Sequence, residues 1–579
     1  AADATINSVT VGKGANSVSG NTVLGESALD ASVSGGNNTA IGLSALSALT
    51  SGTANTAVGR QALLVTTTGS SNTAIGSGAL ADNTTASNNT AVGLNALNVN
   101  TTGSSLVAIG NNALDANTTG GSNVAIGSYA LSANTTASFN VAIGGGALEV
   151  NTTGAQNTAV GVLALDANTT AENNTGIGYN SLGANTDGFS NTAVGSLSLD
   201  ANTTGDFNTA MGENALGGNT TADYNTAFGA RALLSNETGT RNVAVGALAL
   251  DANTSASDNT AVGLSALTEN TTGAFNTAVG ANCLDANTTA SNATAVGYGA
   301  LGSNTTGGLN TAVGTAALDA NTTGSNCTAV GVNALGQSTT ADSNSAFGNA
   351  ALSNNTTGAN NTAVGDNALR DNSTADQNVA VGAFALEVNT TGAQNSAVGF
   401  RALDQNTTGA NNSAMGHSAL GANTTGSQND AFGYVALASN TSGDDNSAFG
   451  TGAADANTTG GLNSAFGRDA LGVNTTGGSN TAMGALALDA NTTASNNSAF
   501  GYNACGANTT GTANSGFGLN ALARCTTGNN NSACGLNALS YVDTGSDNSA
   551  LGLSAGLSNT SGEDNTYLGK NAGYAASTL

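Results

Sequence analysis

NTAVGVLALDANTTA (residues 157–171) and NTAVGTAALDANTTG (residues 310–324) are two copies of one phrase, and its spacing decides the fold. The full unit is close to N-T-A-V-G-x-x-A-L-x-x-N-T-T-G-x-x. With the opening Asn as position 1, the glycine of position 5 recurs from Gly25 to Gly569. That is (569 − 25)/17 = 32 steps, so 33 glycines, with no insertion or deletion. A fixed period of this length is the mark of a solenoid, in which each repeat touches only its neighbours. An unbroken array of this kind implies a rod, with no irregular stretch on which to build a catalytic pocket.

Seventeen residues hold no whole number of helical turns, so a helix would let the apolar stripes drift apart. Gly and β-branched Thr in every unit are also poor helix formers. Short strands bounded by Gly and Asn fit better, because those residues supply turn conformations. The pattern predicts an all-β fold, a parallel β-solenoid (β-roll) with 33 coils of 17 residues. Positions 1–4 are expected as one strand and positions 7–10 as a second. The G-x-x between them is a corner, and N-T-T-G a longer return. Position 4 is apolar in every repeat, and position 9 is Leu except at Ala454, Cys505, Gly556 and Gly573. Both are expected to point into the coil, with Val58, Ile75 and Val92 stacked as neighbours. Strands about 4.8 Å apart would give a rod of roughly 160 Å.

Alternation then places the position 3 alanines (Ala40, Ala57, Ala74, Ala91, Ala108) on the opposite face. Two readings of that methyl strip stay open. It permits close approach by a second chain, or it lines an interior so thin that only methyls fit. Position 4 is mostly Ile or Val early and often Phe later (Phe228, Phe347, Phe432, Phe449, Phe466, Phe500, Phe517). Those coils are expected to be wider or better filled. Residues 1–24 carry one shorter glycine spacing and are expected as an N-terminal adapter or cap. Residues 21–569 form the continuous array, and 570–579 a C-terminal tail. No cap is evident at that end, so a second molecule or further chain is expected to cover it.

Composition narrows the function. There are 9 basic and 35 acidic residues, a net charge of −26. Nucleic-acid grooves need clustered Lys and Arg, so DNA and RNA are excluded as partners. Charged residues are 8% of the chain and Pro is absent, against usual levels of about 25% and about 5%. No apolar run approaches the roughly 18 residues of a transmembrane helix, so no membrane insertion is expected. The five cysteines (Cys283, Cys327, Cys505, Cys525, Cys534) fall in five different repeat positions and are read as small apolar substitutes.

Candidate chemistry is sparse. His417, the only histidine, sits at a corner without ligating partners at useful spacing. Acidic residues recur at position 10 (Asp115, Asp166, Asp200, Asp251, Asp285, Asp319, Asp404, Asp455, Asp489). They are read as a solvated stripe, because calcium-loop spacing is missing. The NTT of Asn117, Asn151 and Asn202 is an N-glycosylation sequon, but acceptors on every coil would stand only about 4.8 Å apart. A hydrogen-bonded turn or an amide ladder between coils is the favoured use. No catalytic, cofactor-binding or metal residue is assigned, and the chain is expected not to be an enzyme.

The phrases at 157–171 and 310–324 resemble the repeats of trimeric autotransporter adhesin heads. They are closer still to the NTAxGxxALxxNTTG arrays of phage tail fibres and related bacterial surface proteins. The resemblance covers nearly everything from Asn21 to Gly569. It implies an extracellular, cell-surface or virion location, self-association as a homotrimer or filament, and attachment to a host-surface or cell-surface receptor. The unbroken rod, the alanine strip and the uncapped end make a structural fibre the first expected function, and an adhesin is the second. Ice binding by a Thr/Asn face at positions 12 and 14 comes third.

Overall fold

The computed structural model describes residues 3–574. Ala1, Ala2 and residues 575–579, the ends of the expected adapter and tail, lie outside them. The chain is an all-β parallel β-solenoid with 17-residue coils, apart from one short 3₁₀ turn at Ala15–Ser17. It divides into two units, Ala1–Ser291 and Asn292–Leu579.

The first unit opens with β1 (Ala4–Ile6), which runs antiparallel to β2 (Val9–Gly12). β2 in turn pairs antiparallel with β3 (Thr22–Gly25). From β3 onward the ladder is parallel, through β4 (Thr39–Ile41) and β13 (Thr192–Val194) to β18 (Thr277–Val279). The second unit holds a parallel ladder of the same kind from β19 (Thr294–Val296) to β35 (Thr566–Leu568). Register is strict: Val58 pairs with Ile75, and Ile75 with Val92, each 17 residues on.

Among the described residues each coil carries one strand, at positions 2–4, and no second one. The segment expected as a strand at positions 7–10 is a run of turns. Its backbone still bonds from coil to coil. Gly59 N donates to Ile41 O (2.8 Å) and Gln61 N to Leu43 O (2.8 Å), one coil back. Leu63 N donates to Ala79 O (3.0 Å) and Val65 N to Ala81 O (3.1 Å), one coil on. Left-handed residues turn the peptide groups along the stacking axis: Gln61 has φ 60°, Leu63 φ 52° and Ser71 φ 59°. A left-handed L-residue costs about 1–2 kcal/mol. Burying Leu63 completely returns about 1.5–3 kcal/mol, and its amide keeps a partner. Intercoil bonding therefore does not require extended backbone, and that is why the second strand is absent.

The interior also differs from expectation. Ala57, Ala62 and Leu63 are fully buried, and so are their counterparts in nearly every coil. Position 9 points inward as expected, but position 4 points outward. Ile75 is 42% exposed while Ala74 beside it is 0% exposed. Of the two readings of the alanine strip, the thin interior is the one found. The room is taken by Leu of position 9 and by two columns of asparagine. Asn55 and Asn72 at position 1, and Asn83 and Asn100 at position 12, are all fully buried.

The asparagines satisfy one another. Asn72 N and Nδ2 both bond Asn55 Oδ1 (3.0 and 3.1 Å), and Nδ2 also bonds Ala86 O (2.9 Å). In the second column Asn117 Nδ2 donates to Asn100 Oδ1 (2.8 Å) and to Gly120 O (3.0 Å). Buried amides tolerate this because their donors and acceptors are paired. The constant glycine of position 5 has a steric cause. A Cβ on Gly59, at φ 141°, would stand 2.3 Å from Gly76 O in the next coil. No side chain larger than hydrogen fits.

The last coil repeats the logic with other residues. Tyr567 takes the place of the position 3 alanine and is 6% exposed. Position 9 is glycine in that coil (Gly573) and in the one before it (Gly556), and a Cβ on Gly556 would meet the Tyr567 ring at 2.6 Å. A large residue at position 3 thus replaces the large residue at position 9, because both fill one interior.

Candidate functional site

Since position 3 is inside, positions 2 and 4 of every strand share the outer face of the sheet. The two units present different chemistry there. On β4–β13, position 2 is Thr or Val and position 4 is Ile or Val without exception. All twenty side chains are β-branched, with stiff χ1. On β19–β35, position 4 turns larger: six are Phe, two Met and two Leu, and position 2 is often Ser. The Phe run expected to fill wide coils is therefore a surface feature.

The rings of Phe432, Phe449 and Phe466 stack at centroid distances of 4.7 and 4.8 Å, within 7° and 4° of parallel. Phe500 and Phe517 repeat this at 4.8 Å. Phe347 and Phe517 are 42% and 43% exposed, Met415 51% and Leu551 52%. Beyond Phe517 the rank drops to the short side chain of Cys534. A hollow of about 390 Å³ opens there, lined by Phe517, Ala533, Cys534, Leu551 and Leu568. Asp430 is the only charged residue at position 2 or 4 of these strands.

Hydroxyl ranks fall into two kinds. At position 13, Thr84 Oγ1 donates to Thr101 O (3.0 Å), Thr101 to Thr118 O (2.9 Å) and Thr118 to Thr135 O (3.0 Å). Among the described residues, the position 2 threonines of β4–β13 have no such protein partner for their hydroxyls. They face outward beside the Ile/Val rank. The face expected at positions 12 and 14 does not exist, because position 12 is interior: Asn117, Asn151 and Asn202 are fully buried. Their amide nitrogens are held in the ladder (Asn202 Nδ2 to Asn185 Oδ1, 2.9 Å), the use favoured for these sequons.

Aromatic side chains also meet outside the strands. Phe400, His417 and Tyr434 occupy position 6 of successive coils, with ring centroids 5.3 Å apart at each step. Phe384 lies edge-on to Phe400 at 5.9 Å, and the Arg401 guanidinium stands 5.5 Å over the Phe400 ring. His417 therefore sits between rings and not among ligands. In the first unit Phe207 stacks on Tyr224 at 5.1 Å and meets Phe189 edge-on. Sequence reasoning passed over these rows, although 17-residue spacing was the available signal. Phe400, His417 and Tyr434 are 17 apart, as are Phe207 and Tyr224.

The position 10 carboxyls are less solvated than expected. Asp404 is 8% exposed, Asp115, Asp166, Asp200, Asp251, Asp455 and Asp489 are half-buried, and Asp319 is exposed. Desolvation pushes all eight above the ordinary carboxyl range. Among the described residues no three of His, Cys, Asp and Glu converge in a way that could hold a metal ion. Cys283, Cys327, Cys505 and Cys525 are buried, and burial pushes the Cys283 thiol up to about 12 and Cys525 to about 11. Cys534 is exposed, on the outer face. No helix among the described residues is long and apolar enough to cross a membrane. No protein-family model matches the chain, and no curated protein matches it.

Proposed function

We propose that this chain is a non-enzymatic structural protein of an extracellular, cell-surface or virion fibre, which self-associates through the outer strand face of its second unit. The observation that carries the reading is the outward-facing, almost uncharged rank of Phe, Met and Leu on β19–β35, of which Phe347, Met415, Met483, Phe517, Leu551 and Leu568 are exposed and Phe432, Phe449, Phe466 and Phe500 half-buried. Interface cores are enriched in aromatics and Met and depleted in charge, and this face has that composition in a chain of net charge −26. Fully burying a Phe or Met side chain is worth about 1.5–3 kcal/mol. Completing the burial of side chains already about six-tenths covered gains roughly 1 kcal/mol each. Summed over the ten Phe, Met and Leu side chains, that is about 10 kcal/mol, comparable to an association cost of about 4–15 kcal/mol. The hollow at Cys534 offers a seat for a partner's ring.

Light scattering tests the reading. The native chain is expected at a multiple of 55.2 kDa, and the double variant Phe449→Lys, Phe466→Lys at 55.2 kDa with an unchanged circular dichroism spectrum. A native chain that stays at 55.2 kDa at micromolar concentration contradicts it.

A second reading, attachment to a host or cell surface, is favoured by the exposed aromatic rows at Phe189, Phe207 and Tyr224 and at Phe400, His417 and Tyr434. Repetition lends avidity to weak contacts. Binding to cells or to a glycan array that is lost in the Phe400→Ser, Tyr434→Ser variant supports it, and binding unchanged in that variant removes it.

A further inference from the structure

We propose that the outer face of β4–β13 in the first unit binds the surface of ice. Ten in-register strands set two parallel ranks of side chains, Thr or Val at position 2 and Ile or Val at position 4. Neighbours within a rank stand about 4.8 Å apart, and the two ranks about 7 Å apart, over a length of about 43 Å. A crystalline water surface is itself a two-dimensional lattice of oxygens with repeats of this order. A ligand with lattice periodicity is matched only by a protein face that keeps its own period without insertion, and this face does so.

Three further properties fit that ligand. The side chains are β-branched and held by the ladder below them, so little freedom is lost on binding a rigid surface. Among the described residues Thr39, Thr56, Thr73, Thr90, Thr158, Thr175 and Thr192 have no protein partner for their hydroxyls, while the hydroxyls of position 13 are consumed between coils. The methyls of the same threonines and the Ile/Val rank leave water to order over apolar surface between those hydroxyls. Charge is absent: none of the twenty residues is ionisable, and at the flanking position 6 of these coils only Arg60 is charged. An ion would hold its own hydration shell against the lattice.

The composition argues against a protein occupant on this face. Binding hot spots are enriched in Trp, Tyr and Arg, and Thr and Val are under-represented among them. The large side chains suited to a protein partner lie on the second unit, so the two faces divide the roles.

The test uses the whole purified chain and measures ice-crystal shaping, thermal hysteresis and recrystallisation inhibition. The native chain should shape crystals and show hysteresis. Thr175→Tyr and Thr192→Tyr, on the face, should abolish the activity; Thr175→Val should reduce it in part. Thr170→Tyr, at exposed position 14, should leave it unchanged. All are checked for a native spectrum, and an outward Tyr suits a strand. The Phe449→Lys, Phe466→Lys variant should lose self-association and keep its effect on ice, which separates this proposal from the preceding one. Absence of crystal shaping by the native chain overturns it. Equal losses in Thr170→Tyr and Thr175→Tyr also overturn it. So does a Thr175→Tyr variant that keeps its effect on ice and loses self-association, which would make this face a protein interface.

Discussion

Asn202→Ala removes one rung of the buried amide ladder, and the structure sets the size of the loss. Asn202 Nδ2 donates to Asn185 Oδ1 (2.9 Å) and Gly205 O (3.0 Å), and its Oδ1 accepts from Asn219 Nδ2 (2.9 Å). Gly205 O keeps a second donor, Asn191 Nδ2 at 2.8 Å. Asn185 Oδ1 and one hydrogen of Asn219 Nδ2 are left without partners in a fully buried column. Each orphaned group costs about 1–3 kcal/mol, so the variant should lose about 2–6 kcal/mol. The chain already carries two such breaks. Ser338 and Cys525 replace the position 12 asparagine, and Asn321 Oδ1 and Asn508 Oδ1 before them have no partner. Thr66 shows a milder replacement, donating to Asn83 O (2.9 Å) and accepting from Asn83 Nδ2 (3.3 Å). Asn202→Thr should therefore fall between Ala and the native residue. Thr204→Ala, at exposed position 14, should stay within about 0.5 kcal/mol. Denaturant unfolding gives the energies, and amide exchange locates the loss on the adjoining coils. If Asn202→Ala costs no more than Thr204→Ala, the amide column does not support the interior and the reasoning fails.

Two further predictions concern pH and the terminal coil. Asp115, Asp166, Asp200, Asp251, Asp319, Asp404, Asp455 and Asp489 are raised by burial, so their stabilising form is the protonated one. That contribution is complete below the unfolded value of 3.8 and is lost as pH rises through the folded values. Asp258 and Asp371, lowered by hydrogen bonds from Arg241 and Arg370, act in the opposite sense but are only two. The melting temperature should thus rise from pH 7 toward pH 4, and Asp200→Asn should raise it at pH 7 and flatten the profile. At the terminal coil, Tyr567→Ala should cost about 3–5 kcal/mol. Gly556→Leu alone should also destabilise, because its Cβ would meet the Tyr567 ring at 2.6 Å. The double variant should recover part of the loss, with a coupling of about 0.5–3 kcal/mol read from proteolysis of that coil.

The solenoid and its register were legible because a 17-residue period survives every substitution. The inside and outside of the strand were not. Val and Ile at position 4 are more apolar than Ala at position 3, so hydrophobicity alone reversed the assignment. The interior is too narrow for a second large residue beside Leu of position 9, and the apolar excess goes to the surface. One signal did point the right way. Tyr567 at position 3 coincides with Gly556 and Gly573 at position 9, a size exchange that only a shared interior explains. The missing second strand was hidden for another reason. Left-handed Leu is rare, and nothing in A-L-x-x shows that intercoil bonds will hold it there.

The account rests on coils that stack in register with position 3 inside and position 4 outside. Thiol reactivity of the native chain tests this directly, in a Cys534→Ser background that removes the exposed native cysteine. Single variants Ala193→Cys and Val194→Cys place a thiol on adjacent residues of β13. Maleimide should modify Val194→Cys in the native chain and leave Ala193→Cys unmodified until the chain is unfolded. A fast reaction at Ala193→Cys with protection at Val194→Cys would contradict the account.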